Sequence, residues 1–172
     1  QFLKIKLSKK HTVNSILKKN KINIINLKNS INQIESLNIL ESYKPDLLVS
    51  ILGSEIFKKD LLKIAPYGCI NLHSSLLPKY RGLLPTFWIL KNKEKYTGVS
   101  VFFVDDGIDS GPIIIQKKFS VGNLTHRQLI KKSKRVGMEA IAEAIVAIIK
   151  KSLKTIPNID NESSYYKFPA RK

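Results

Sequence analysis

The sequence predicts an α/β domain built on a mainly parallel sheet. Three observations carry that expectation. Short runs rich in β-branched residues alternate with stretches of helical periodicity. One such run, LLVSIL at residues 47–52, is apolar almost throughout, as expected of a strand buried on both faces. The segments between runs have about the length of a crossover helix, roughly 10–15 residues.

The elements follow in order. Residues 21–27 (KINIINL) form the first expected strand. Residues 29–43 carry Ile31, Ile34, Leu37 and Leu40 at near-helical spacing, with Asn29 or Ser30 as cap. Pro45-Asp46 marks a turn into the strand at 47–52. Residues 55–64 read as a helix ended by Ala65-Pro66-Tyr67-Gly68, and residues 69–72 as another strand. Residues 97–104 and 113–119 are two more strands with a turn between them. Residues 125–153 hold the longest helical pattern, with Leu129, Val136, Ile141, Ile145 and Ile148 on or near one face. Residues 158–172 are polar and aromatic and are expected to be a surface tail.

Composition narrows the function. A chain of 172 residues is one domain's worth, with 43% hydrophobic and 25% charged residues, ordinary for a soluble globular protein. Disorder, collagen-like repeats and a coiled coil are excluded. A single cysteine, Cys69, excludes a disulfide scaffold. No apolar run approaches the roughly 18 residues needed to cross a bilayer, so no membrane span is expected. The net charge of +17 favours anionic partners such as nucleic acid, nucleotides or a polyglutamate tail. A second reading stands beside it. Lys, Asn and Ile crowd the whole chain, and the basic residues come as pairs, such as Lys18-Lys19, Lys58-Lys59, Lys117-Lys118 and Lys131-Lys132. That dispersal fits solvated surface lysines better than one dedicated stripe. The chain opens with Gln1 and shows no leader, so a missing upstream segment is expected. One thiol and no leader fit a reducing, cytoplasmic setting.

In open α/β sheets ligands bind beyond the carboxyl ends of the strands, which places chemistry just after Leu72. The segment there reads N-L-H-S-S-L-L-P-K-Y-R-G over residues 71–82. Asn71 and His73 are two apart, so on an extended backbone they share a face. A polar Asn and a titratable His together at a strand's end are either catalytic or a structural pair. A second segment, residues 103–112, places Asp105, Asp106 and Asp109 with Gly107 and Gly111 between two apolar strands. It reads as a reactive loop or as a plain turn, since turns favour Asp and Gly. It lacks the alternating ligands and distal Glu of a calcium loop. A P-loop, the dinucleotide fingerprint, H-E-x-x-H, paired C-x-x-C and a G-x-S-x-G elbow are all absent, so no metal is expected.

Together, N-L-H-S-S-L-L-P-K-Y-R-G and D-G-I-D-S-G-P-I resemble the folate-dependent formyltransferases. That family includes glycinamide ribonucleotide, methionyl-tRNA and nucleotide-sugar enzymes. The N-x-H, the S-L-L-P loop and an Asp 36 positions after the His all match. The resemblance implies a Rossmann-like three-layer domain over residues 1–157, with its front β-α-β unit incomplete before Lys21. It also implies transfer of a formyl group from 10-formyltetrahydrofolate, with no metal, to a primary amine of an anionic acceptor. Methionyl-tRNA and a nucleotide-linked amino sugar are the acceptors expected. Such chemistry needs a donor facing the oxyanion and an acid/base near neutral pKa. By resemblance, Asn71 donates to the formyl oxygen, and His73 stabilises the oxyanion as imidazolium. Asp109 holds His73 and helps remove the amine proton. The pteridine pocket falls on Gly53, Ser54, Glu55, Ile56 and Phe57, and on Val104, Asp105, Gly107 and Ile108. The carboxyl-terminal domain of the methionyl-tRNA enzymes has no counterpart after Pro169. Hydrolysis of the same folate and a non-catalytic basic RNA-binding module are the alternatives.

Overall fold

A computed structural model describes residues 12–170. The pair Lys9-Lys10, the front of the expected catalytic domain and the last two residues of the expected tail lie outside the described residues. Five α-helices and six strands follow in chain order: α1 (Val13–Lys19), α2 (Ile34–Ser42), β1 (Leu48–Ile51), α3 (Lys59–Leu62), β2 (Cys69–His73), β3 (Arg81–Gly82), α4 (Pro85–Lys91), β4 (Tyr96–Phe103), β5 (Ile113–Ser120), α5 (His126–Ile149) and β6 (Tyr165–Tyr166). The main sheet has the order β1-β2-β4-β5, and β3 pairs with β6 in a separate ladder.

The α/β class holds, but the strand directions differ from expectation among the described residues. Within the main sheet only β1 and β2 run parallel, with Leu48 opposite Cys69, while β2–β4 and β4–β5 are antiparallel; the separate β3–β6 pair is parallel. For β4 and β5 the reason is connection length. A parallel return needs a long crossover, whereas β4 and β5 are joined by the short loop of residues 104–112 and double straight back.

The core forms where α5 lies across one face of the sheet. Ile70, Val99 and Val101 meet Ala140, Ile141, Ala144 and Ile148 there, all buried. Each fully buried aliphatic side chain contributes about 1.5–3 kcal/mol. Gly137 of α5 lets the helix sit on Leu72, because a Cβ there would press into the leucine side chain. The helix starts at a T-x-x-Q capping box: the Thr125 N–H donates to Gln128 Oε1 at 2.8 Å, and Thr125 Oγ1 accepts from the Gln128 N–H. On the opposite face, Leu77 packs on Phe102 and Ile113.

Three expected elements are shorter or absent. Residues 22–27 have no ladder partner among the described residues, and Ile22, Ile24 and Ile25 are exposed. The helix expected over 29–43 begins only at Ile34, capped by Gln33 rather than Asn29 or Ser30. The helix expected over 55–64 shrinks to one turn, Lys59–Leu62. The last two share one cause. Asn32 accepts the Lys58 N–H at 2.8 Å and donates to Ile56 O at 2.9 Å, while the Ile31 N–H and Ser30 hydroxyl donate to Glu55. Polar groups that local reading assigned to two helices instead tie two loops together.

Two features had no counterpart in the sequence reading. Helix α4 begins with Pro85 in its first turn, where the missing N–H costs nothing. Residues 158–170 are largely exposed, yet they carry a 3₁₀ turn at Asp160–Glu162 and strand β6. Tyr166 stacks on Tyr80 with ring centroids 5.1 Å apart.

Candidate active site

The site is built at the carboxyl end of β2. Alternation along β2 sends Ile70 and Leu72 toward α5, and therefore Asn71 and His73 to the opposite face. The chain then folds over that face. Ser100, buried on β4, donates its hydroxyl to Ser75 O at 2.7 Å and accepts the Leu77 N–H at 3.0 Å. Gln116 on β5 donates to Leu77 O at 2.7 Å, and Ser75 Oγ donates to Lys79 O at 2.8 Å. This polar lattice holds the S-S-L-L-P loop in place and sets Tyr80 O above the His73 ring.

His73 is almost wholly enclosed, with 7% of its side chain exposed. Its Nε2 stands 2.6 Å from Tyr80 O. A carbonyl oxygen only accepts, so Nε2 carries a proton. Nδ1 is 3.5 Å from Asp109 Oδ2. Both ring nitrogens therefore face acceptors. Asp109 is 14% exposed and its carboxylate also accepts the Gly82 N–H at 2.8 Å. Its backbone is left-handed, with φ 51°, a conformation uncommon for L-residues that Asp tolerates in turns.

The other two aspartates of that loop serve different ends. Asp105 accepts from the Gly107 N–H at 3.1 Å and the Ser110 hydroxyl at 2.7 Å, closing the turn on itself. Asp106 pairs with Lys59 at 3.0 Å on the open surface, where an ion pair contributes little. Of the three, Asp109 is the one that meets His73.

A cleft of about 460 Å³ opens beside these groups, in the size range of small-molecule sites. Asn71, His73 and Asp109 all line it, as do Gly53, Ser54, Glu55, Ile56 and Phe57 on one rim and Val104, Asp105, Gly107 and Ile108 on the other. The residues expected in the catalytic and pteridine-binding roles thus border one cleft, whereas Asp106 and Gly111 of the same loop do not line it. Glu55 borders it with its carboxylate engaged elsewhere: the Ser30 hydroxyl, and next the Ile31 N–H, hold that carboxyl below the usual glutamate range. The sequence reading missed Gly82, Leu83, Leu84, Pro85 and Tyr165, which also line the cleft. Proline just inside a short apolar helix was the available signal for the first four; nothing local points to Tyr165. Tyr80 was also missed. Burial, and then its 2.6 Å bond to Glu94, push its phenol up to about 12, so it stays a neutral donor.

A hydrogen-bond donor, an enclosed imidazole and a fixed carboxylate at the mouth of such a cleft form the equipment of an acyl-type group-transfer enzyme. The particular family follows from comparison. The family model for formyl transferases matches residues 5–145, and the chain belongs to that family. The methionyl-tRNA formyltransferase of Clostridium tetani is 36% identical over 132 residues, covering 76% of this chain and 43% of its own length. The methionyl-tRNA formyltransferase of Thermodesulfovibrio yellowstonii is 44% identical over 107 residues, 62% of this chain and 35% of its own. The chain thus spans less than half the length of these relatives. Among solved structures, phosphoribosylglycinamide formyltransferase from Bacillus halodurans superposes with a TM-score of 0.71 at 26% identity, over 79% of this chain and 74% of that one. WlaRD, a sugar 3N-formyl transferase solved in the presence of dTDP and 5-N-formyl-THF, superposes with a TM-score of 0.70 at 26% identity, over 90% and 53%. The Rossmann-like architecture is shared with these structures.

Proposed function

We propose that this chain transfers a formyl group from 10-formyltetrahydrofolate to a primary amine, with methionyl-tRNA as the acceptor. The observation that carries the reading is the convergence of Asn71, His73 and Asp109, from two separate segments, on one cleft. Family membership supports formyl transfer as the reaction class. The curated relatives at 36% and 44% identity bear the methionyl-tRNA name, which favours that acceptor over a nucleotide-linked amino sugar. The catalytic unit is assigned to residues 1–157, with the segment after it packed along the site.

The cleft suits the donor. Ile56 and Phe57 offer apolar surface to a flat ring, and residues 52–57, 104, 105, 107 and 108 border the cleft, where their backbone is suited to meet its polar edge. Attack of an amine on a formyl carbon builds negative charge on the formyl oxygen and positive charge on the amine nitrogen. Asn71 donates to the first, and His73, protonated on both nitrogens, adds a cation beside it. Asp109 serves the second, taking the amine proton directly or through water while holding Nδ1 of His73, and that proton passes to N10 of the departing tetrahydrofolate as the formyl C–N10 bond breaks. The enclosure of His73 strengthens each of these interactions.

The test is an incubation with 10-formyltetrahydrofolate and methionyl-tRNA, and in parallel with a nucleotide-linked amino sugar. Formyl-methionyl-tRNA is the expected product. Formylation of the sugar alone changes the acceptor but keeps the reaction. Formate released without acceptor, at rates matching turnover, replaces transfer with hydrolysis. Salt-sensitive RNA binding without folate binding replaces the enzyme with a binding module.

A further inference from the structure

We infer that Asn158 is a positioning residue for the reaction: with Arg81, it sets the backbone from which the Asp109 carboxylate meets His73. The inference rests on the proposed role of Asp109 and goes beyond it. Asn158 lies 49 positions after Asp109, in the exposed stretch that follows the catalytic unit. Its amide nitrogen donates to Asp109 O at 2.9 Å and to Gly111 O at 2.9 Å. An Asn amide has two hydrogens, so this one group is fully spent on the two carbonyls that flank Ser110. The bridge Ile113↔Ile156, with N–H to O distances of 2.9 and 2.7 Å, brings the chain alongside the loop just before Asn158.

Arg81 aims the amide. Its Nη2 donates to Asn158 Oδ1 at 2.8 Å and to Asn158 O at 3.2 Å, and its Nη1 pairs with Asp160 at 2.7 Å. The Arg81 side chain is 9% exposed, so its bonds to Asn158 form where water competes poorly, whereas Asp160, 81% exposed, contributes little. Because its amide oxygen is held by a guanidinium, Asn158 presents the nitrogen, and only the nitrogen, to the Asp109 loop. Arg81 is also the neighbour of Gly82, whose N–H holds the Asp109 carboxylate. One dipeptide thus reaches Asp109 twice: directly at the carboxylate, and through Asn158 at the carbonyl.

The need for such a brace is in the loop itself. Asp109 is left-handed at φ 51°, and Gly111 passes so close to Phe103 O that a Cβ would not fit. Asp tolerates this conformation without being confined to it, so the bonds to Asp109 O and Gly111 O select the one arrangement that faces His73. Relaxation at Asp109 lengthens a contact to His73 that is already 3.5 Å. Misplacements of this order, about 1 Å, cost up to about 100-fold in rate.

The experiment compares Asn158→Leu, Arg81→Lys and Asp109→Asn in the intact protein, by nitrogen NMR of the His73 ring and by formylation of the acceptor found above. Asp109→Asn moves the His73 Nδ1 signal, and Asn158→Leu is expected to move it in the same direction. Asn158→Leu is expected to lower kcat by about 10- to 100-fold, with the KM for the donor within about threefold. In the Asp109→Asn background the same change should cost no more than about twofold, because the brace acts through a carboxylate already gone. Arg81→Lys keeps the charge but loses the fork, and should shift the same signal by less; it also serves if Asn158→Leu does not fold. An unmoved ring signal in Asn158→Leu, or losses that multiply with Asp109→Asn, overturns the brace and leaves the proposed reaction standing. Full activity and an unmoved ring in Asp109→Asn sinks the proposed reaction centre itself.

Discussion

Nδ1 of His73 lies 3.5 Å from Oδ2 of Asp109, although His73 ends strand β2 and Asp109 lies in the loop between β4 and β5. The distance is long for a hydrogen bond and suitable for an ion pair. Two main-chain groups hold it there: Tyr80 O on the far nitrogen of the imidazole, and the Gly82 N–H on the carboxylate. Both come from the one stretch that runs over the site, so the His–Asp pair is assembled by the loop between S-S-L-L-P and helix α4.

His73→Ala and Asp109→Ala should each lower kcat by at least about 100-fold, since general acid–base assistance is worth about 10²–10⁴-fold. Donor affinity should stay within a few-fold, because both groups act on charge that arises only in the transition state. The double variant should lose far less than the product of the two. Steady-state kinetics with a donor-binding titration checks this. Losses that multiply cleanly assign Asp109 a role independent of His73.

Asn71→Ala should cost about 10²–10³-fold in kcat, the usual effect of removing one oxyanion donor. Asn71→Asp should be no better, because a carboxylate cannot donate and repels the developing charge. Single-turnover rates at saturating donor decide it, and a loss carried in KM alone contradicts the role.

Gly82→Ala should impair both folding and rate. Gly82 sits at φ 89°, and a Cβ there would run into Tyr166 O and the Tyr165 ring. The strained replacement should destabilise by more than about 1 kcal/mol. The N–H on Asp109 moves with it, so residual activity of the folded fraction should fall by about tenfold or more. Thermal melts and active-fraction kinetics separate the two effects. Wild-type activity in a stable Gly82→Ala protein would falsify the main-chain support assigned to Asp109.

The protein should lose stability in alkali beginning near pH 9. Burial pushes the Cys69 thiol up to about 11, and burial with Glu94 pushes the Tyr80 phenol up to about 12. Both groups keep their protons in the folded state at pH values where the unfolded chain has released them. Unfolding therefore releases protons above about pH 9, and rising pH favours the unfolded chain until each folded pKa is passed. Melting temperature against pH from 7 to 12 should fall across that window, and Cys69→Ala should delay the onset.

Some of this was legible in the residues alone. A two-residue spacing places Asn71 and His73 on one strand face whatever surrounds them, because side chains alternate along any extended chain. The apolar face of α5 was equally local, and Leu129, Ile141 and Ile148 are buried as that face requires. The motif pair at residues 71–82 and 103–112 carried the family, since it records chemistry rather than packing. The shortening of the helix over 55–64 and the reach of Asn158 back to Asp109 were decided by tertiary structure. In each case the deciding hydrogen bonds join residues far apart in sequence, such as Asn32 with Lys58 or Asn158 with Asp109. Periodicity reports which face a side chain takes within one element. It holds no information about which distant backbone group will satisfy a given N–H or carbonyl, and that pairing is what bends the loops, shortens the helices and holds Asp109 left-handed beneath His73.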